Sequence, residues 1–130
     1  MTAFFDTNVL IYTVTLDPRK QQADRILDAG GIVSVQVLNE FANFAHKKLR
    51  HGWADIEYAL NQFRLSFDAI LLLTLDTHTA ALTIARDNRL SFYDALIVAS
   101  AIESGCNTLY SEDMPHGRAI GALTIRNPFI

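Results

Sequence analysis

The stretch SFYDALIVASAIE, residues 91–103, decides the fold. Ser91 is a favoured helix N-cap and Gly105 a favoured residue after a helix end, so the stretch has the boundaries of a helix. From Ala95 to Ile102 only one residue is polar, which leaves almost no face for solvent. A helix that is apolar all round is buried. The sequence therefore predicts a buried helix, Phe92 to Glu103, inside a layered domain.

On both sides of this helix, short apolar segments typical of strands alternate with longer helical patterns. This alternation indicates an α/β fold with a parallel sheet. We expect a three-layer α/β/α fold, with four or five parallel strands, in a single domain spanning residues 1–130. The predicted strands are residues 2–5, 32–33, 69–75, 108–110 and 123–126. The other predicted helices are residues 8–15, 17–28, 35–51, 53–67 and 77–87.

Three of the predicted helix ends depend on single residues. Asp17 followed by Pro18 predicts the start of one helix, because Asp is a favoured N-cap and Pro is tolerated at the first helical position. Asn88 is a suitable left-handed residue just past the end of another helix. Ser34 predicts the cap of the helix from Val35.

The composition is that of a globular domain. Of the 130 residues, 50% are hydrophobic and 19% are charged, which supports a core and argues against disorder. No apolar run reaches the length of a membrane span, the N-terminus has no signal-peptide pattern, and Cys106 is the only cysteine. We therefore expect a cytoplasmic protein without membrane association. The net charge of −3 neither indicates nor excludes a nucleic-acid partner, because cations bound at a carboxylate cluster would reverse its sign.

Four acidic residues occupy positions where a site would form. Asp6 directly follows the first predicted strand, and Asp113 lies just past the strand at residues 108–110. Ligands bind at this carboxyl edge of open α/β sheets. Asp94 lies at the start of the buried helix, and Glu40 borders the apolar face of the helix from Val35. We expect these four side chains to converge.

Each of these residues also has an ordinary structural explanation. Asp6 is a suitable N-cap for the helix that follows it. Glu40 could extend from the rim of its helix to solvent. Ser91 and Asp94 have the spacing of a capping box, in which the acid accepts a hydrogen bond from the N-cap backbone. Asp113 could belong to a solvated acidic loop.

Converging carboxylates without basic partners repel one another, and a divalent cation stabilises such a cluster. Ligands that are all oxygen favour Mg²⁺ or Mn²⁺. Other chemistries find no support in the sequence. Cys106 has no pairing histidine at a recognisable spacing, the four histidines lack zinc-ligand spacing, and no glycine-rich phosphate loop is present.

Four segments resemble the four acidic motifs of the PIN-domain family. They are FFDTNVLI (residues 4–11), SVQVLNEF (34–41), LSFYDALIVASA (90–101) and LYSEDM (109–114). They occur in the order of the family, and the resemblance covers residue 4 to about residue 125. Within that family, the size and overall likeness are similar to those of the VapC-type toxins of bacterial and archaeal toxin–antitoxin pairs.

The resemblance implies an endoribonuclease that requires Mg²⁺ or Mn²⁺, often forms a homodimer and is silenced by a cognate antitoxin protein. It implies cleavage of RNA by in-line attack to leave 3′-hydroxyl and 5′-phosphate ends. The catalytic residues that it implies are Asp6, Glu40, Asp94 and Asp113, of which Asp6, Asp94 and Asp113 hold the metal. The supporting residues that it implies are Asn8, Ser111 and Glu112, and Glu112 also competes with Asp113 for the fourth acidic position.

Two other functions stay open at this point. One is a PIN nuclease of RNA processing that has no antitoxin, and the other is a non-catalytic PIN-fold module that binds protein or RNA. Candidate phosphate contacts are Lys47, Lys48, Arg50, Arg86, Arg89 and Arg118.

Overall fold

The computed structural model describes residues 2–130, in which helices cover both faces of a six-stranded sheet. The strands are β1 (Ala3–Phe5), β2 (Ile32–Ser34), β3 (Ala69–Leu71), β4 (Thr108–Tyr110), β5 (Ala119–Ile120) and β6 (Leu123–Arg126). The helices are α1 (Thr7–Thr13), α2 (Lys20–Asp28), α3 (Val35–Lys47), α4 (Trp53–Ser66), α5 (Leu75–Asn88) and α6 (Phe92–Glu103). The predicted three-layer α/β/α architecture is confirmed.

The strand order β3-β2-β1-β4-β6-β5 determines where a site can form. The first five strands in this order are parallel, as expected, and β5 is an additional antiparallel edge strand. After β1 the chain adds β2 and then β3 on one side of β1, and the later strand β4 is added on the other side of β1. The crevice at the carboxyl ends of β1 and β4 is therefore a topological switch point, where ligands of open α/β sheets bind.

The buried helix was predicted correctly, and its packing explains its composition. Every residue of α6 from Ala95 to Ala101 is buried. One side, including Ile97 and Val98, packs into the main core against the sheet. The opposite side, including Leu96, packs against Ala81 of α5 in a second apolar cluster. Within residues 2–130 no helix combines the length and the apolar character needed to cross a membrane.

Two predicted segments have different bounds in the structure. Helix α2 begins at Lys20 rather than after Asp17, because Asp17 accepts a hydrogen bond from the Arg19 N–H at 2.8 Å and forms a turn instead. Strand β3 ends at Leu71 and is only partly buried, so the predicted buried strand to residue 75 is wrong. The aliphatic residues beyond it leave the sheet, and Leu72 is 72% exposed.

The bounds of two other helices also differ. Helix α5 begins two residues earlier than expected, because Thr74 forms a capping box with Thr77. The left-handed residue after this helix is Arg89 (φ 56°) rather than Asn88, which is the last helical residue. Helix α3 ends at Lys47, and the backbone then folds back through a left-handed Arg50.

Candidate active site

Asp6 is the buried centre of the site. It follows β1, where Phe5 pairs with Tyr110 of β4, so the first residues past the two strands are neighbours. Its carboxylate accepts hydrogen bonds from the Ser111 hydroxyl at 2.7 Å and from the Thr7 N–H at 2.7 Å. Asp6 is therefore the N-cap of α1, as the structural explanation proposed, and its other oxygen, Oδ2, accepts from Ser111 and Asn8.

Asn8 joins the first and the last of the acidic motifs. Its side-chain amide nitrogen lies 3.3 Å from Asp6 Oδ2 and 3.1 Å from Asp113 Oδ2. Its amide oxygen accepts a hydrogen bond from the Glu112 N–H at 3.3 Å. The Ser111 hydroxyl in turn accepts from the Asp113 N–H at 3.2 Å. Asn8 and Ser111 thus hold Asp6 and Asp113 side by side across the β1–β4 edge.

Glu40 reaches the same place from α3. Its carboxylate accepts a hydrogen bond from the Thr7 hydroxyl at 3.2 Å and another from the Gln36 amide at 2.9 Å. Glu40 is half-buried at the rim of its helix, and these two contacts hold its carboxylate at the pocket. The sequence did not reveal Thr7 as its partner, because that contact joins residues 33 positions apart. Gln36 was also missed, although its i, i+4 spacing from Glu40 on one helix is a local signal for such a pair.

Asp94 lies in the first turn of α6, half-buried. The Ser91 hydroxyl accepts a hydrogen bond from the Asp94 N–H at 3.3 Å. The reciprocal bond of a capping box, from the Ser91 N–H to the Asp94 carboxylate, is not formed between these two described residues. The full capping box is therefore not formed. The Asp94 carboxylate lines the pocket with the other acids, and the Ser91 hydroxyl beside it acts against the rise in its pKa.

The four carboxylates share one pocket of about 460 Å³. Asp6, Glu40, Asp94 and Asp113 all line it, together with Asn8 and Glu112. Of the six basic residues considered as phosphate contacts, Lys47 and Lys48 line this pocket, whereas Arg50, Arg86, Arg89 and Arg118 do not. The two lysines are exposed at the end of α3, so they form a cationic rim beside an acidic floor.

Glu112 also lines the pocket, but its carboxylate is engaged elsewhere. It forms an ion pair with Arg19 at 2.6 Å and accepts a hydrogen bond from the Tyr12 hydroxyl. Arg19 also binds Asp17 at 2.7 Å, and its guanidinium lies 4.2 Å from the centre of the Tyr12 ring. This network leaves Asp113, which shares Asn8 with Asp6, as the better candidate for the fourth acidic position. Neither Tyr12 nor Arg19 was identified from the sequence.

The electrostatics of the pocket are those of unpaired carboxylates. Burial raises the pKa of Asp6 from 3.8 to about 7, against the hydrogen bonds from Ser111 and Thr7, and the charges of Asp94 and Glu40 raise it further. Burial is also the main cause that raises the pKa values of Glu40 and Asp94. Within residues 2–130, no lysine or arginine forms an ion pair with any of the four acids.

These residues fit a hard divalent cation. The pocket offers carboxylate oxygens, and a cation would favour their charged forms, which burial and mutual repulsion disfavour. Among residues 2–130, no group of three or more Asp, Glu, His or Cys side chains is already arranged to hold a metal ion. The fit is thus to an ion such as Mg²⁺, which binds through one or two carboxylates and completes its coordination with water and substrate oxygens.

The comparison with protein families gives one match. A family model described as PIN domain matches residues 3–118, which is most of the chain and includes Asp6, Glu40, Asp94 and Asp113. The comparison with curated proteins finds no match.

Solved structures share the fold at low sequence identity. A toxin–antitoxin complex from Klebsiella pneumoniae is 21% identical, with a TM-score of 0.75 and 98% of each chain covered. VapC20 of Mycobacterium tuberculosis, a sarcin-ricin loop cleaving toxin, is 23% identical, with a TM-score of 0.69, covering 86% of this chain and 90% of that one. VapBC2 from Rickettsia felis, bound to a DNA fragment from its promoter, is 17% identical, with a TM-score of 0.72 and 98% of each chain covered. At these identities the likeness establishes the fold.

Proposed function

The chain belongs to the PIN-domain family, and from that premise we propose that it is an endoribonuclease that hydrolyses RNA phosphodiester bonds with Mg²⁺ or Mn²⁺. The observation that carries the proposal is the pocket at the switch point, where four carboxylates without basic partners surround the ends of β1 and β4. A non-catalytic binding module has no need of a carboxylate cluster whose burial and mutual repulsion raise the free energy of the folded state.

The proposal assigns the metal to Asp6, Asp94 and Asp113, of which one or two would bind it directly and the rest through water. The approach of Asp6 to Asp113 is set by the β1–β4 pairing and by the amide nitrogen of Asn8, and Asp94 reaches the same pocket from the first turn of α6. A bound Mg²⁺ or Mn²⁺ would supply activation of a water and stabilisation of negative charge at the phosphate. Asn8 and Ser111 keep the Asp6 oxygen oriented, because each donates a hydrogen bond to Asp6 Oδ2.

Glu40 has a different task in the proposal. Thr7 and Gln36 fix its two oxygens, and burial raises its pKa, so its carboxylate is suited to accept a proton from an attacking water. Lys47, about two turns beyond Glu40 at the end of α3, and Lys48, the C-cap of that helix, line the pocket rim, where they can contact phosphates flanking the cut. In-line attack would leave 3′-hydroxyl and 5′-phosphate ends.

We further propose that the protein is the toxin of a toxin–antitoxin pair, acting in the cytoplasm, with a cognate antitoxin as its partner and a homodimer as its assembly. The support comes from solved structures with the same fold, among them the Klebsiella pneumoniae toxin–antitoxin complex. A gene for a small DNA-binding protein directly next to the gene for this chain would favour this assignment over an RNA-processing nuclease.

We expect cleavage to depend on the metal. Purified protein should cut RNA with Mg²⁺ or Mn²⁺, and excess EDTA should reduce the rate to background. Millimolar Mn²⁺ should also raise the thermal midpoint, because a cation that binds only the folded state stabilises it by mass action, by about 2.7 kcal/mol at a hundred times its Kd. RNA cleavage followed on a gel and a thermal melt test both effects. Full cleavage in chelator would contradict the mechanism.

We also expect expression of the protein to arrest bacterial growth. The arrest should disappear in Asp113→Asn, because that change removes a charge from the proposed metal site while the amide keeps an acceptor for Asn8. Asp28→Asn is the matched control, since Asp28 is exposed at the end of α2 and makes no contact with the pocket. Growth curves of induced cultures provide the measurement. Equal arrest by wild type and Asp113→Asn would show that toxicity is independent of the pocket.

A further inference from the structure

A second groove adjoins the acidic pocket, and its chemistry differs from that of the pocket. It has a volume of about 430 Å³ and is lined by Gln36, Asn39, Glu40, Asn43 and Tyr93. Glu40 and Asn43 also line the acidic pocket, so the two are continuous along α3. Whatever occupies this groove therefore lies directly beside the four carboxylates.

The groove presents hydrogen-bonding amides and one aromatic ring. Gln36, Asn39 and Asn43 follow one another at helical spacing along the same side of α3. Asn39 and Asn43 are exposed, and within residues 2–130 their side chains make no hydrogen bond, whereas the Gln36 amide donates to Glu40. Tyr93 lies in the first turn of α6 and is 62% exposed, although the residues of this helix from Ala95 to Ala101 are all buried.

These groups select a flat, neutral ligand that has donors and acceptors on its edge. No lysine or arginine lines the groove, and the Glu40 carboxylate borders it, so a phosphate is disfavoured there. Side-chain amides carry a donor and an acceptor side by side and can pair with the edge of a nucleobase. An exposed aromatic ring offers a surface on which a base can stack.

We propose that this groove is a nucleobase subsite, in which a base of the RNA strand stacks on Tyr93 and is read by Asn39 and Asn43. The proposal rests on the proposed ribonuclease function. The base belongs to a nucleotide next to the scissile phosphate, because Tyr93 directly precedes Asp94 and the groove shares Glu40 with the acidic pocket. Both the face and the edge of that base must be free, so the cut strand is unpaired at this position.

The first test is sequence preference. Wild type, Tyr93→Ala, Tyr93→Phe and Asn39→Ala are each given a randomised single-stranded RNA library with Mn²⁺, and the cut ends are sequenced. Wild type should prefer particular bases at one position beside the cut by roughly tenfold, the size expected for a stacked and hydrogen-bonded base. Tyr93→Ala and Asn39→Ala should flatten that preference, whereas Tyr93→Phe, which keeps the ring, should retain most of the stacking.

Tyr58→Ala is the matched control, because Tyr58 is 68% exposed on α4 and lines neither the pocket nor the groove. It should keep the wild-type preference. If Tyr93→Ala also keeps it, with an unchanged kcat/KM, the subsite is overturned while the ribonuclease function stands.

The second test measures binding alone. An RNA octamer that carries 2-aminopurine at the preferred position, or at each position in turn, is titrated with Asp6→Asn, which should bind without cutting. Stacking on Tyr93 should quench the fluorescence at one position, and Tyr93→Ala in the same background should abolish that quench. The absence of any position-specific quench would overturn the subsite. A quench in a protein whose wild type cuts no RNA would support the subsite and overturn the nuclease.

Discussion

Asp6→Asn should make the protein more stable in chelator and, at the same time, nearly inactive as a nuclease. The carboxylate is buried with its pKa raised to about 7, so at pH 8 the folded state holds a charge that burial disfavours. Asn is neutral and keeps an oxygen for the Thr7 N–H, and the loss of the second oxygen, which accepts from Ser111 and Asn8, offsets only part of the gain. We expect the thermal midpoint in EDTA at pH 8 to rise by roughly 5 °C. Such a shift corresponds to an increase of about 1 kcal/mol or more in the free energy of unfolding.

The sign of the pH dependence follows from the direction of the shift. Because the folded-state pKa of Asp6 lies above its unfolded value, folded protein binds the proton more tightly between about pH 4 and pH 7. The stability of the wild type in chelator should therefore fall as the pH rises through this window. Asp6→Asn should lack this contribution, so the two proteins should have similar melting temperatures near pH 4 and diverge towards pH 8.

The rate of RNA cleavage should change with pH in the opposite direction to the stability, rising as the pH rises. A protonated Asp6 is a poor metal ligand, so wild-type cleavage should decline as the pH falls below about 7 unless the metal is raised to compensate. Asp6→Asn should lose cleavage by at least about 100-fold at all pH values, because the amide cannot supply the charge. Asp28→Asn serves as the surface control for both measurements. A less stable Asp6→Asn, or one that cleaves normally, would contradict the assignment of Asp6.

The sequence predicted those features of the fold that depend on local signals. The limits of α6, β4 and β6 were correct because caps, glycines and apolar periodicity mark them directly. The two-residue β5 was not predicted, since so short an edge strand depends on pairing with β6. The cap of α5 was missed because a threonine at residue 77 replaces the Glu or Gln of the usual capping box.

Convergence of the acids could be expected from the sequence, and the family resemblance implied the support from Asn8 and Ser111, but the other contacts could not be expected. Residues that follow two parallel strands must meet at one sheet edge, which places Asp6 near Asp113. The contact of Thr7 with Glu40 and the engagement of Glu112 by Arg19 join segments 33 and 93 residues apart. Such contacts depend on the packing of α1, α3 and the loop after β4, which no local pattern encodes.

Asp94→Asn should separate a metal ligand from a helix cap. Because the Asp94 carboxylate does not complete a capping box, Asn should cost at most a few tenths of a kcal/mol through the helix dipole. Loss of repulsion from Asp113, which raises the pKa of Asp94, acts in the opposite direction. The melting temperature in chelator should therefore stay the same or rise slightly.

Ser91→Ala is the complementary variant, because it removes the cap and keeps the carboxylate. The Ser91 hydroxyl accepts from the Asp94 N–H, so its loss should lower the stability by about 1 kcal/mol. Cleavage should remain near the wild-type rate in Ser91→Ala and fall by at least about 100-fold in Asp94→Asn, with a matching loss of the Mn²⁺-induced rise in melting temperature. These opposite effects, measured by thermal melts and RNA cleavage, separate the two roles. Near-normal cleavage by Asp94→Asn would reduce the metal-binding residues to Asp6 and Asp113.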